Sequence, residues 1–207
     1  MKTNLDFLFS EIYDRHSVRV IVFSRHGDKT PDNHITDECI KSIIENGMPG
    51  LDSRISVIQD GSACIRSTET ALAAEKWIRN KGGAIVRHLP VDERLGSDQL
   101  FQDLFTPEIK EQMKTNGWKN YETLVNARID GLMIFEQAVA DAVNDMFKHM
   151  NAGDIALSVS HSPTVETAFN YFIDPDNRDN QMVIDSLDGI ILVQVKTDAG
   201  LRIFAHR

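Results

Sequence analysis

Short β-branched runs alternate with amphipathic segments along most of the chain, and this alternation constrains the fold more than any other feature. Val18–Ser24 and Arg54–Gln59 read as buried strands. Ala84–Leu89 and Ile155–Ser160 read the same way. Between them lie helix patterns: one opened by Thr36-Asp37-Glu38 and stopped at Asn46-Gly47, one from about Cys64 to Arg79, and a long one from Tyr121 to about Met150. A further helix starts at Pro163 and Thr164 and runs to about Phe172. Gly189–Val195 and Leu201–Ala205 are two last strands, joined through Lys196–Gly200 as a hairpin. Strand–helix alternation implies a mainly parallel sheet with helices on both faces. The expected fold is a three-layer α/β/α sandwich carrying a C-terminal antiparallel hairpin.

At 207 residues the chain is expected to form one domain and needs no disulfide or structural metal to bury a core. Its net charge of −9 argues against nucleic acid and anionic membranes as partners. Cys39 and Cys64 read as free thiols of a reducing cytosol, no signal peptide is visible, and no apolar run reaches membrane-spanning length, so a cytoplasmic protein is expected.

Chemistry in open α/β sheets gathers at the carboxyl ends of the strands. Those ends here carry Arg25-His26-Gly27, the stretch Ser62 to Arg66, Asp92-Glu93, and Ser160-His161-Ser162. Two guanidiniums are forked donors that match phosphoryl oxygens. Two imidazoles add donors, or a nucleophile. A carboxyl group can protonate a leaving alkoxide. Gly27 would let the backbone approach a bound anion closely. Helices starting near Cys64 and Ser162 would aim amides at the same place.

These residues together resemble the histidine phosphatase superfamily, the phosphoglycerate mutase-like proteins, over about residues 18–172. The carriers are Arg25-His26-Gly27 after a strand, Ser62-Ala63-Cys64-Ile65-Arg66-Ser67-Thr68-Glu69-Thr70-Ala71, Glu93, and Ser160-His161. The resemblance implies a metal-independent phosphomonoester hydrolase without a cofactor. His26 would form a phosphohistidine, Arg25, Arg66 and His161 would hold the phosphoryl oxygens, and Glu93 would be the proton donor. Nearby cations should keep His26 neutral. Lys29 reads as a phosphate-facing cation, and Ser62 and Ser162 as phosphate donors or helix caps.

The chain departs from the family pattern after Gly27, where it reads Asp28-Lys29-Thr30-Pro31. Ser162 stands where the acid-phosphatase branch has an aspartate donor. Glu93 is therefore the first choice of acid and Asp28 the second. Phosphoglycerate mutase activity and a non-catalytic phosphate- or phosphopeptide-binding module are the alternatives. The substrate would be a phosphorylated small molecule or a phosphoprotein. At about 96–120, where Leu100, Phe101, Leu104, Phe105 and Trp118 look exposed and Thr106-Pro107 interrupts an Asp98–Lys114 helix or excursion, the segment reads as a helix packing on the domain or as a lid over the site. Val91–Ser97 reads as a loop with Asp92 solvated.

Overall fold

The computed structural model describes residues 5–60, 62–96, 101–102, 104–128, 130–173 and 175–207. In chain order the elements are α1 (Leu5–Glu11), β1 (Arg19–Arg25), α2 (Asp37–Asn46), β2 (Val57–Gln59), α3 (Ile65–Asn80) and β3 (Arg87–Leu89). A 3₁₀ turn at Glu93–Leu95 follows, then α4 (Pro107–Thr115), α5 (Asn120–Ala127), α6 (Asp130–Lys148) and β4 (Ile155–Ser160). The chain closes with α7 (Thr164–Phe172), a second 3₁₀ turn at Pro175–Asn177, β5 (Gly189–Thr197) and β6 (Gly200–His206).

One six-stranded sheet has the order β3-β2-β4-β1-β5-β6. β3, β2, β4 and β1 are mutually parallel, while β5 pairs antiparallel with both β1 and β6. The mainly parallel sheet with a terminal hairpin is thus as expected. Alternation along the strands divides the core. Ile21 and Phe23 face Leu124, Phe135, Val139, Phe147 and Val165, whereas Val20 and Val22 face Leu8, Ile43, Ala74 and Ile78. Residues two apart share a face of a strand, so continuous β-branched runs serve a sheet covered on both sides.

Thr36 caps α2, its hydroxyl accepting from the Cys39 amide at 3.2 Å. The second and third strands are shorter than expected, three residues each. The expected Tyr121–Met150 helix is broken into two. Arg128 takes a left-handed conformation (φ 50°) and ends α5. Tyr121 Oη then donates to Glu136 Oε1 at 3.1 Å. These residues would sit about 22 Å apart in one straight helix, so the bond requires the chain to fold back.

The 96–120 segment is only partly within the described residues, because Ser97–Leu100 and Asp103 lie outside them. Leu104 is buried in the core cluster, and Phe101 and Phe105 pack against it, as the packing reading of this segment expects. Trp118 is exposed. Thr106 caps α4 through the Ile109 amide. Among the described residues no helix is long and apolar enough to cross a membrane, and both cysteines are free.

Candidate active site

β1 and β4 are register neighbours, with Arg25 opposite Ser160, so His26 and His161 leave the sheet side by side. Their rings meet edge to face with centroids 5.1 Å apart. The His26 amide donates to Ser160 O at 2.9 Å, which ties the two strand ends together.

The bonds of His26 define its tautomer. Nδ1 lies 2.6 Å from the Gly27 carbonyl, and the Arg66 Nε–H donates to Nε2 at 2.9 Å. A carbonyl only accepts and a guanidinium only donates. Neutral His26 therefore carries its proton on Nδ1 and its lone pair on Nε2. Burial drives its pKa down to about 4, with Arg66, Arg25 and Lys29 adding to the fall against the opposing effect of the Gly27 carbonyl. Sequence reasoning assigned the neutrality to the neighbouring cations, but desolvation is the larger cause.

His161 is buried more deeply. Its Nε2 is 2.6 Å from Ser62 Oγ and 3.3 Å from Ser67 Oγ, while the buried Nδ1 has no hydrogen-bond partner. Burial holds its pKa well below the usual value, reinforced by His26, Arg66, Arg25 and Lys29. Ser62 also accepts from the Cys64 amide at 3.4 Å, so it touches both the imidazole and the start of α3.

Arg66 stands in the first turn of α3. Thr70, one turn later, accepts from the Gly27 amide at 3.1 Å and donates to Arg66 O at 2.8 Å, joining α3 to the loop after β1. Glu69 binds the same loop from outside, through His34 Nδ1 at 2.6 Å and the Ile35 amide at 2.8 Å. Gly27 does not leave its bare face to a ligand. A Cβ there would sit 2.3 Å from Cys39 Sγ, so the missing side chain makes room for α2.

Arg25 Nη1 donates to Ile184 O at 2.6 Å, and its buried Nε has no hydrogen-bond partner. Lys29 is exposed, with Nζ 3.4 Å from Asn33 Oδ1. Its charge nevertheless reaches both imidazoles. Asp28 is exposed one residue beyond Gly27.

Glu93 is exposed and opens the 3₁₀ turn after β3. Asp92 is not solvated as expected. It accepts from the amide and side chain of Arg94, which also reaches Asp145 on α6 at 2.9 Å. The far end of this turn abuts His161. Ser160 Oγ donates to Leu95 O. Gly96 has φ 141°, and a Cβ on it would sit 2.5 Å from His161 Cδ2. The Phe101 and His161 rings meet edge to face with centroids 5.6 Å apart.

Ser162 follows His161, but its hydroxyl accepts from Asn120 Nδ2 at 3.2 Å. Of the sequence-derived residues, hydrogen bonds join His26 to Arg66 and His161 to Ser62, and the two imidazoles meet ring to ring. Arg25 and Lys29 act on that group through charge, Glu93 sits on the adjoining turn, and Ser162 faces the start of α5. Sequence reasoning assigned no role to Ser67, Thr70, Gly96, Asn120 or Glu166. Ser67 and Thr70 lay inside the quoted motif. Glu166, in the first turn of α7, had only its helix-start position as a signal. Among the described residues no group of three or more His, Cys, Asp and Glu is placed to hold a metal ion.

No protein-family model matches the chain, and no curated protein matches it. Solved structures do. Phosphoglycerate mutase from Bacillus anthracis str. Sterne is similar with a TM-score of 0.54 at 12% identity, covering 92% of this chain and 94% of that one. The Bacillus stearothermophilus protein YhfR has a TM-score of 0.54 at 16% identity, covering 89% and 95%. Phosphoserine phosphatase from Entamoeba histolytica, in complex with 3-phosphoglyceric acid, has a TM-score of 0.51 at 12% identity, covering 91% and 97%. The chain has the phosphoglycerate mutase-like fold.

Proposed function

We propose that the protein is a metal-independent phosphomonoester hydrolase working through a phosphohistidine on His26. The observation that carries this reading is the tautomer of His26: Nδ1–H committed to the Gly27 carbonyl, Nε2 carrying the lone pair, and a cation donating to that nitrogen. Likeness to phosphatases and mutases of the same fold supports it.

A phosphoryl group entering the site takes the Arg66 donation from Nε2 onto its own oxygen. Arg25, Arg66 and His161 then share the phosphoryl charge, with Lys29 at longer range and Ser162 at the rim. Ser62 and Ser67 hold the His161 ring at Nε2, and its Nδ1 is left without a partner inside the buried site. Nε2 of His26 forms the P–N bond as the P–O bond to the leaving group breaks. The Glu93 carboxyl protonates the departing oxygen. Its carboxylate next takes a proton from water, whose oxygen attacks phosphorus, breaks the P–N bond and releases inorganic phosphate. Fixed positive groups aimed at the transferring phosphoryl supply most of the acceleration in such reactions. Asp28 is the second candidate for the acid. The segment at about 96–120, which lays Phe101 against His161, selects the phosphorylated small molecule or phosphoprotein.

The test is hydrolysis of an aryl phosphate in excess chelator by the wild type, His26→Ala and Glu93→Gln. Turnover that disappears with His26→Ala, together with an acid-labile phosphoenzyme trapped on His26, is the expected result. A Glu93→Gln loss that grows as the leaving group becomes more basic identifies the acid. Unchanged activity in His26→Ala would overturn the assignment.

A further inference from the structure

Glu166 is a carboxyl group that the proposed reaction does not use. It stands in the first turn of α7 and is 1% exposed. Burying a carboxylate is costly unless bonds compensate, and this one has few. Oε1 accepts from the Ile184 amide at 3.1 Å, while Oε2 is buried without a hydrogen-bond partner. The Ile184 carbonyl accepts from Arg25 Nη1 at 2.6 Å. One residue of the stretch before β5 is therefore held at its amide by a carboxyl and at its carbonyl by the guanidinium meant to grip phosphate. Ile184 itself is fully buried in the core.

The surroundings fit this arrangement. Burial raises the pKa of Glu166, while its own amide, the Ser162 hydroxyl, the Ile184 amide and Arg25 lower it. The stretch is pinned again upstream, where the Asp179 amide donates to Asn170 Oδ1 at 2.8 Å and Asn170 Nδ2 donates to Asp179 O at 3.1 Å. Downstream, the Arg25 amide donates to Asp188 O at 2.8 Å. Two residues of α7 and the Arg25 amide thus fix the path of residues 179–188, and that path supplies the carbonyl on which Arg25 rests.

We infer that Glu166 is a positioning residue, which by accepting the Ile184 amide sets the direction of the Arg25 guanidinium toward the phosphoryl group. The inference rests on the proposed role of Arg25 in phosphate binding. Glu166 acts through its acceptor oxygen and not through its charge, so glutamine should replace it and methionine, of similar length without an acceptor, should not. Removing the acceptor leaves a buried amide unpaired and lets the 184 stretch shift, and the guanidinium shifts with it.

The experiment is a double-mutant cycle on Arg25 and Glu166, read as affinity for inorganic phosphate by calorimetry and as aryl phosphate kcat/KM. Glu166→Met and Glu166→Ala are both made, so that one folded variant serves if the other does not fold, with folding checked by circular dichroism. Expected are a roughly tenfold weaker phosphate affinity in either, retention within about threefold in Glu166→Gln, and no further loss when either is added to Arg25→Ala. Additive losses, or a Glu166→Gln loss as large as that of Glu166→Met, would overturn the inference and leave the hydrolase reading standing if turnover persists. A non-additive phosphate cycle in a protein without turnover sustains the inference and removes the hydrolase. No phosphate binding by the wild type sinks both.

Discussion

His26 and His161 end adjacent parallel strands, lie ring against ring, and feel the same three cations. Both are kept neutral chiefly by burial. Their hydrogen bonds nevertheless separate them. His26 is 7% exposed and meets a guanidinium at Nε2, a donor that a phosphoryl oxygen can draw away. His161 is 2% exposed, and its Nε2 meets two buried hydroxyls that belong to the α3 start and stay in place. One imidazole keeps a displaceable partner and the other fixed ones, so hydrogen-bond partners distinguish two identical side chains.

The largest test of this contrast is to delete each ring. His26→Ala is expected to lower aryl phosphatase kcat by about 10⁴-fold or more and to abolish the trapped phosphoenzyme. His161→Ala should cost only about 10²–10³-fold, the scale of one lost transition-state donor, and should still form phosphoenzyme slowly. Equal losses in steady-state and rapid-quench kinetics would erase the distinction.

Acid stability probes the His26 side. Its folded pKa of about 4 lies below the ordinary 6.5, so the unfolded chain binds the proton first. This contribution is complete above pH 6.5 and is lost as pH falls toward about 4, amounting to a few kcal/mol at most. Urea unfolding between pH 7 and pH 4 should show the slope, and His26→Asn should reduce it, with His161 and His206 supplying the remainder.

The packing around His161 is probed by Gly96→Ala. The new methyl meets the ring at a positive φ, so a stability loss of roughly 1–3 kcal/mol is expected in thermal melts, along with reduced kcat. Ser62→Ala is the gentlest change. It removes one of two hydroxyls from Nε2 and should cost about 1 kcal/mol in phosphate affinity. The matching loss in kcat should be about fivefold. A Ser62→Ala variant as impaired as His161→Ala would mean that Ser67 gives the ring no support.

Legibility from sequence followed range. The Thr36 cap, the β-branched strands and the terminal hairpin are local patterns, and they appear nearly where expected. The break at Arg128 did not, since the left-handed residue there and the Tyr121–Glu136 contact it permits are not encoded in the local periodicity. Within the site, residue type marked His26, Arg25, Arg66 and His161, whose chemistry is unusual at a strand end. Supporting residues such as Ser67, Thr70 and Gly96 are ordinary in composition and acquire meaning only from what stands opposite them.

The order of residues along the chain was enough to specify a parallel sheet and to bring two histidines and two arginines to one edge of it, since strand ends are set by hydrophobic period and turn chemistry. Which nitrogen of each imidazole is free, which cation touches it, and how a buried carboxyl reaches Arg25 through one peptide depended on packing across the sheet. Those contacts join residues up to 159 positions apart, as between Arg25 and Ile184. Hydrogen bonds are directional over tenths of an ångström, and only the assembled core holds their partners to that tolerance.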